Sequence, residues 1–136
     1  MGRKARERTV AALALAGLLL AGGRAGAGQV AVERVELERA GGTWNVSVTL
    51  RHADTGWEHY ADAWRIVDAQ GRELARRVLL HPHVHEQPFT RSLSGVRLPE
   101  RGVVHVEAHD TVHGWSPDRD AVDLGRDAGP RYRIRR

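Results

Sequence analysis

Thr43-Trp44-Asn45-Val46-Ser47-Val48-Thr49-Leu50 alternates without a break. Trp44, Val46, Val48 and Leu50 fall on one side, and Thr43, Asn45, Ser47 and Thr49 on the other. Strict period two in β-branched and aromatic residues is the pattern of a strand with one face in a core and one in water. Upstream, Val35 and Leu37 alternate with Arg34, Glu36 and Glu38, so Val30–Glu38 reads as a partner strand joined through the turn Ala40-Gly41-Gly42. Downstream, Tyr60–Asp68 places Trp64 and Ile66 on one face and ends in the turn Asp68-Ala69-Gln70-Gly71. Arg72–Leu80 fits a strand better than a helix turn, because a turn precedes it and His81-Pro82 follows it. Phe89–Leu98 is a further strand, interrupted near Ser94-Gly95. In Val103–Asp110, Val104, Val106 and Ala108 alternate with His105, Glu107 and His109, and Ala121–Leu124 is a short last strand.

Seven short strands divided by regular turn signals predict an all-β chain. The expected fold is a seven-stranded antiparallel sandwich of the immunoglobulin or fibronectin-III kind, with Trp44 and Trp64 in its core. The predicted domain covers residues 28–125. Residues 126–136, rich in Gly, Pro and Arg, are expected to form a disordered tail.

Residues 1–27 read as an export signal. Met1–Thr9 is basic, Val10–Leu20 is an unbroken apolar run, and Ala25-Gly26-Ala27 gives the small-x-small pattern that precedes cleavage. The run is shorter than the ~20 residues that a membrane-spanning helix needs. The chain is therefore expected to be bacterial, periplasmic or secreted, and free of the membrane once cleaved. The signal also carries the apparent basicity. The net charge of +4 belongs to its own arginines and lysine, and residues 28–136 balance to zero. No dense basic face is left for nucleic acid. The absence of cysteine excludes disulfides, thiolate metal sites and cysteine nucleophiles.

The chemistry lies in histidine and in loop aromatics. His81-Pro82-His83-Val84-His85-Glu86 sets three imidazoles at alternate positions of a stiff, extended segment, where side chains share a face. Imidazole is the commonest metal ligand near neutral pH. A divalent-metal site is expected from His81, His83 and Glu86 with one of His59, His109 or His113. With no sulfur ligand in residues 28–136, the candidate ions are Zn(II), Cu(II) or Ni(II), with Zn(II) and Cu(II) foremost. Trp57 and Trp115, beside Gly56 and Gly114 in predicted loops, and Tyr60 near them offer the alternative of an aromatic surface for an envelope protein or glycan. Asp62 and Arg91 would join the same loops in a polar network. Elements of hydrolytic catalysis are missing: there is no Gly-x-Ser-x-Gly elbow, phosphate loop or His-Glu-x-x-His helix. A non-enzymatic binding module ranks first, a metal-binding protein second and a hydrolase last.

Two stretches, Gly56-Trp57-Glu58-His59-Tyr60-Ala61-Asp62 and His81–Ser92 with its His-Pro-His and Glu-Gln-Pro-Phe-Thr-Arg-Ser, carry a resemblance. With Val112-His113-Gly114 they resemble an uncharacterised family of small exported bacterial proteins, over roughly residues 30–125. The resemblance implies no reaction. It points to the loops, where His59, Asp62, His81, His83, Glu86 and His113 fall inside the shared stretches. Because sandwiches gather polar loops at their ends, the His59 loop, the His81–Glu86 loop and the His109–His113 loop are expected to meet.

Overall fold

The computed structural model describes Gly26 and residues 28–136, so the export signal expected over residues 1–27 lies outside the described residues. The described chain is all-β. It forms β1 (Ala31–Ala40), β2 (Thr43–Arg51), β3 (Ala61–Val67), β4 (Glu73–Val78), β5 (Phe89–Val96), β6 (Val103–Asp110), β7 (Gly114–Trp115), β8 (Asp120–Asp123) and β9 (Tyr132–Arg135). One sheet runs β5-β2-β1-β9. The other runs β4-β3-β6, with β7 and β8 both paired to β6. Neither sheet closes into a barrel.

Alternation in β2 builds the first sheet as the sequence predicts: Trp44, Val46, Val48 and Leu50 are buried and their neighbours are not. In β1 the buried residues Val32 and Val35 are three apart, which would put them on opposite faces of a regular strand. A bulge between Val32 and Arg34 absorbs the extra residue and returns Val35 and Leu37 to the core. Trp64 and Ile66 of β3, with Val104, Val106 and Ala108 of β6, face them from the second sheet in one continuous apolar cluster. The outer face of the first sheet is polar, with Ser47 bonded to Ser92 and Thr49 to Thr90 at 2.7 Å. In β4, an edge strand, Leu79 beyond its end is the buried residue, while Val78 and Leu80 point to solvent.

Two expectations are corrected. There are nine strands among the described residues, not seven, because the stretch between the predicted strands Val103–Asp110 and Ala121–Leu124 holds the two-residue β7 and the predicted tail holds β9. The tail does not fray over Tyr132–Arg135. These residues pair with β1 in parallel, so the first sheet is not wholly antiparallel. The reason is again period two: Tyr132 and Ile134 are buried against the core, while Arg133 and Arg135 point outward. Arg131 locks the approach by donating to the Val32 carbonyl (2.7 Å) and to Asp118 Oδ1 (2.8 Å), while Asp118 Oδ2 accepts from the Val32 N–H (3.0 Å).

Register fixes where the loops go. Ala31 pairs with Arg51, Leu50 with Phe89, Ala63 with Val78 and Ala61 with Asp110. The segment before β1 and the loops β2–β3, β4–β5 and β6–β7 therefore share one end of the molecule.

Candidate functional site

At that end, two inward-facing rows finish in polar residues. The row Trp44, Val46, Val48, Leu50 continues to His52, and the row Val104, Val106, Ala108 continues to Asp110. Both side chains are wholly buried. His52 Nδ1 bonds Asp54 Oδ1, and His52 Nε2 lies 2.7 Å from the Gly28 carbonyl. The ring is thus held between a carboxylate and a carbonyl, two groups that can only accept. Asp54 is itself held by the backbone N–H groups of Ala61 (3.1 Å) and His83 (2.7 Å).

Asp110 Oδ1 accepts four hydrogen bonds: from His59 Nε2 and His113 Nδ1 at 3.1 Å, and from the N–H groups of Val112 (2.9 Å) and His113 (2.7 Å). Burial pushes this carboxyl up, but the N–H groups of His113 and Val112 and the His113 ring outweigh it and hold it below the usual carboxylate range. Asp110 Oδ2, equally buried, has no partner among the described residues. The rings of His52 and His59 lie 4.7 Å apart and those of His59 and His113 5.0 Å apart.

One ligand atom each from His52, His59 and Asp110 lies within 4.8 Å of the other two. Ligands on one zinc stand roughly 3.3 Å apart, given tetrahedral bonds of about 2.0–2.1 Å. The 3.1 Å between His59 Nε2 and Asp110 Oδ1 already matches that spacing. Asp54 behind His52 is the carboxylate–histidine support that metal sites use to fix ring tautomer and orientation. Asp54 and Asp110 bring two buried carboxylates to the cluster, a field that favours a cation.

The other predicted ligands lie elsewhere. His83 is buried, stacked on Phe89 at 4.0 Å, and its Nε2 accepts from Arg91 Nη2 at 2.7 Å. That guanidinium stands where a metal would have to sit. Burial first, then Arg91 and His81, lower the His83 basicity, so the ring is neutral with its proton on the unpartnered Nδ1. His81 and Glu86 are exposed, His81 with Nδ1 against the Pro82 carbonyl and Glu86 3.7 Å from Arg91. The His81 and His83 rings do lie together, 4.6 Å apart, with Arg91 on His83 Nε2. His109 points out from the second sheet, bonded to Asp62 and edge-on to Trp115. Trp115 is half-buried, with Arg65 3.7 Å above its ring, so it is covered rather than offered. Trp57 is 67% exposed and meets Tyr60 edge-on at 5.6 Å.

The three loops do converge, as the Asp54–His83 and His59–Asp110–His113 contacts show. Gln87 ties two of them by accepting from the His52 N–H and donating to the His83 carbonyl, both at 3.0 Å. Sequence reasoning passed over His52, Asp54 and Asp110 as ligands or supports. The parity of the two inward rows was the signal that marked His52 and Asp110.

No model of a known protein family matches the chain. No solved structure matches it either. A curated protein of Halomicrobium mukohataei named "Putative lipoprotein" is 43% identical to it over 91 residues, which is 65% of this chain and 44% of that protein. The chain thus spans less than half the length of the relative it matches.

Proposed function

We propose that the chain is an exported, non-enzymatic binding module that holds a divalent cation, Zn(II) or Cu(II), among His52, His59 and Asp110 at its loop end. The observation that carries this is the convergence of three ligand atoms within 4.8 Å, one of them from a buried carboxylate whose second oxygen has no partner. Location outside the cytoplasm is supported by the basic, apolar and small-residue order of residues 1–27 and by the name of the relative. Among the described residues no helix is long and apolar enough to cross a membrane. The order β1-β2-β5 opposite β4-β3-β6-β8 suits a fibronectin-type sandwich with β7 and β9 added, a fold that gathers binding loops at its ends.

The test is metal content and calorimetric titration of the untagged protein. One equivalent of Zn(II) or Cu(II), lost in His59→Ala but kept in His81→Ala and His85→Ala, is the expected result. No metal and no heat in the wild type refutes it.

A second reading has its own support. Trp57, Leu80, Val84 and Val112 are large exposed apolar residues, and all four lie in loops or a strand exit at this same end. Such a surface suits an envelope protein or a glycan. It predicts a ligand whose binding falls in Trp57→Ala and ignores chelators.

A further inference from the structure

Gly28 enters the imidazole cluster with its backbone. Its carbonyl oxygen is 2.7 Å from His52 Nε2, which sets the residue directly against the ring. A side chain at this position would come within 2.9 Å of His113 Cε1 and 3.5 Å of His59 Cε1, and its φ of +80° is a glycine conformation. No other residue type lets the chain pass this close to the rings. Independently, Gly28 is the residue that follows Ala25-Gly26-Ala27, the small-x-small pattern of a leader-peptidase site.

From these two observations we propose that removal of the leader after Ala27 completes the metal site, with the freed Gly28 α-amine and the Gly28 carbonyl oxygen joining His52, His59 and Asp110. This deepens the metal reading above and rests on it. The step is hydrolysis of the Ala27–Gly28 peptide bond by an export-coupled endopeptidase. Water adds its hydroxyl to the Ala27 carbonyl and its hydrogen to the Gly28 nitrogen, leaving a carboxylate on the leader and an amine on Gly28.

In the uncleaved chain that nitrogen is a peptide amide, whose lone pair is delocalised into the carbonyl and does not bind metal. Once freed, it is separated from its own carbonyl oxygen by two carbons, so the pair closes a five-membered chelate ring. An α-amine sheds its proton near neutral pH far more readily than a lysine does. A set of amine, imidazole, carbonyl and carboxylate ligands favours Cu(II) over Zn(II). The unprocessed protein would therefore hold copper weakly, and the site would mature only after export.

Residues 28–136 contain all nine strands, so the processed form carries the whole described fold. Three proteins test the proposal: residues 28–136 with a free Gly28 amine, the same chain with that amine acetylated, and the free-amine chain carrying His59→Ala. Circular dichroism first shows each to be folded, and Cu(II) binding is then read by calorimetry and electron paramagnetic resonance. The free-amine form is expected to bind about tenfold or more tightly than either of the others. Its copper spectrum should also change when Gly28 carries nitrogen-15. Equal affinity in the free and acetylated forms overturns the amine as a ligand and leaves the histidine site standing. Undiminished binding in His59→Ala overturns it too, since the amine would then bind copper apart from the cluster. No binding in any form removes this proposal together with the metal reading.

Discussion

Asp110→Ala is the most informative single change. Asp110 Oδ1 accepts four hydrogen bonds, two from side chains and two from backbone. The His59 and His113 rings are partly exposed, at 21% and 33%, and can turn to water when the carboxylate goes. The Val112 and His113 N–H groups lose the acceptor that ends their strand, at a cost of about 1–2 kcal/mol each. Removing the unpartnered Oδ2 from a buried position returns part of this, and the net expected loss is about 2–3 kcal/mol. Asp110→Asn keeps the acceptor oxygen and forfeits only charge assistance, so its loss is about 1 kcal/mol. Urea unfolding at neutral pH with a chelator present measures both. Adding metal at about a hundred times its dissociation constant should then stabilise the wild type by about 2.7 kcal/mol and neither variant. An Ala variant within about 0.5 kcal/mol of wild type, or an Asn variant as damaged as Ala, refutes Asp110 as the hub of the loop end.

Further outcomes follow from the same structure. Ile134→Ala should cost about 2–4 kcal/mol in urea unfolding, whereas Arg135→Ala stays near wild type, because Ile134 is 4% exposed and Arg135 points outward. Burial raises the Asp120 carboxyl above its ordinary range, with Arg131 opposing and Asp118 adding to the shift, and Asp120 Oδ2 has no partner. The folded state thus prefers Asp120 protonated, and stability present below the ordinary carboxylate value is lost as pH rises through the raised one. Asp120→Asn should therefore raise the melting temperature at neutral pH and lose that advantage in acid. The sign reverses for His83, whose basicity is lowered by burial. Its contribution is full above the ordinary histidine value and lost as pH falls through the lowered one, so His83→Gln should flatten the decline of stability between neutral and mildly acidic pH.

The alternation of Thr43–Leu50 and Val103–Asp110 was enough to lay down the centre of each sheet, since period two has one reading when one face is buried. Val32 and Val35 could not show their common face, because a bulge leaves no mark in hydrophobic spacing. The strand Tyr132–Arg135 was hidden by its shortness: two apolar residues among arginines look like a tail until Tyr132 and Ile134 find the free edge of β1. At the site, the convergence of the loops was legible from where strands begin and end. The ligand set was not. Adjacent histidines drew attention to His81–His85, yet the partner that meets His83 Nε2 is Arg91, eight residues on and across a loop. Conversely, Asp110 looked only like the end of the strand Val103–Asp110, although its parity already made it the last rung of a buried row.

The parallel pairing of β9 with β1 also bears on mechanics. β1 leaves the loop end and β9 runs beside it in the same direction, each residue from Val35 to Glu38 matched to one from Tyr132 to Arg135. A tether attached ahead of Gly28, pulled against an anchor beyond Arg135, would slide these two strands past each other along their length. Their backbone bonds would then be strained together in shear rather than opened one after another. The seam should therefore resist such a pull better than one that peels β9 away from one end.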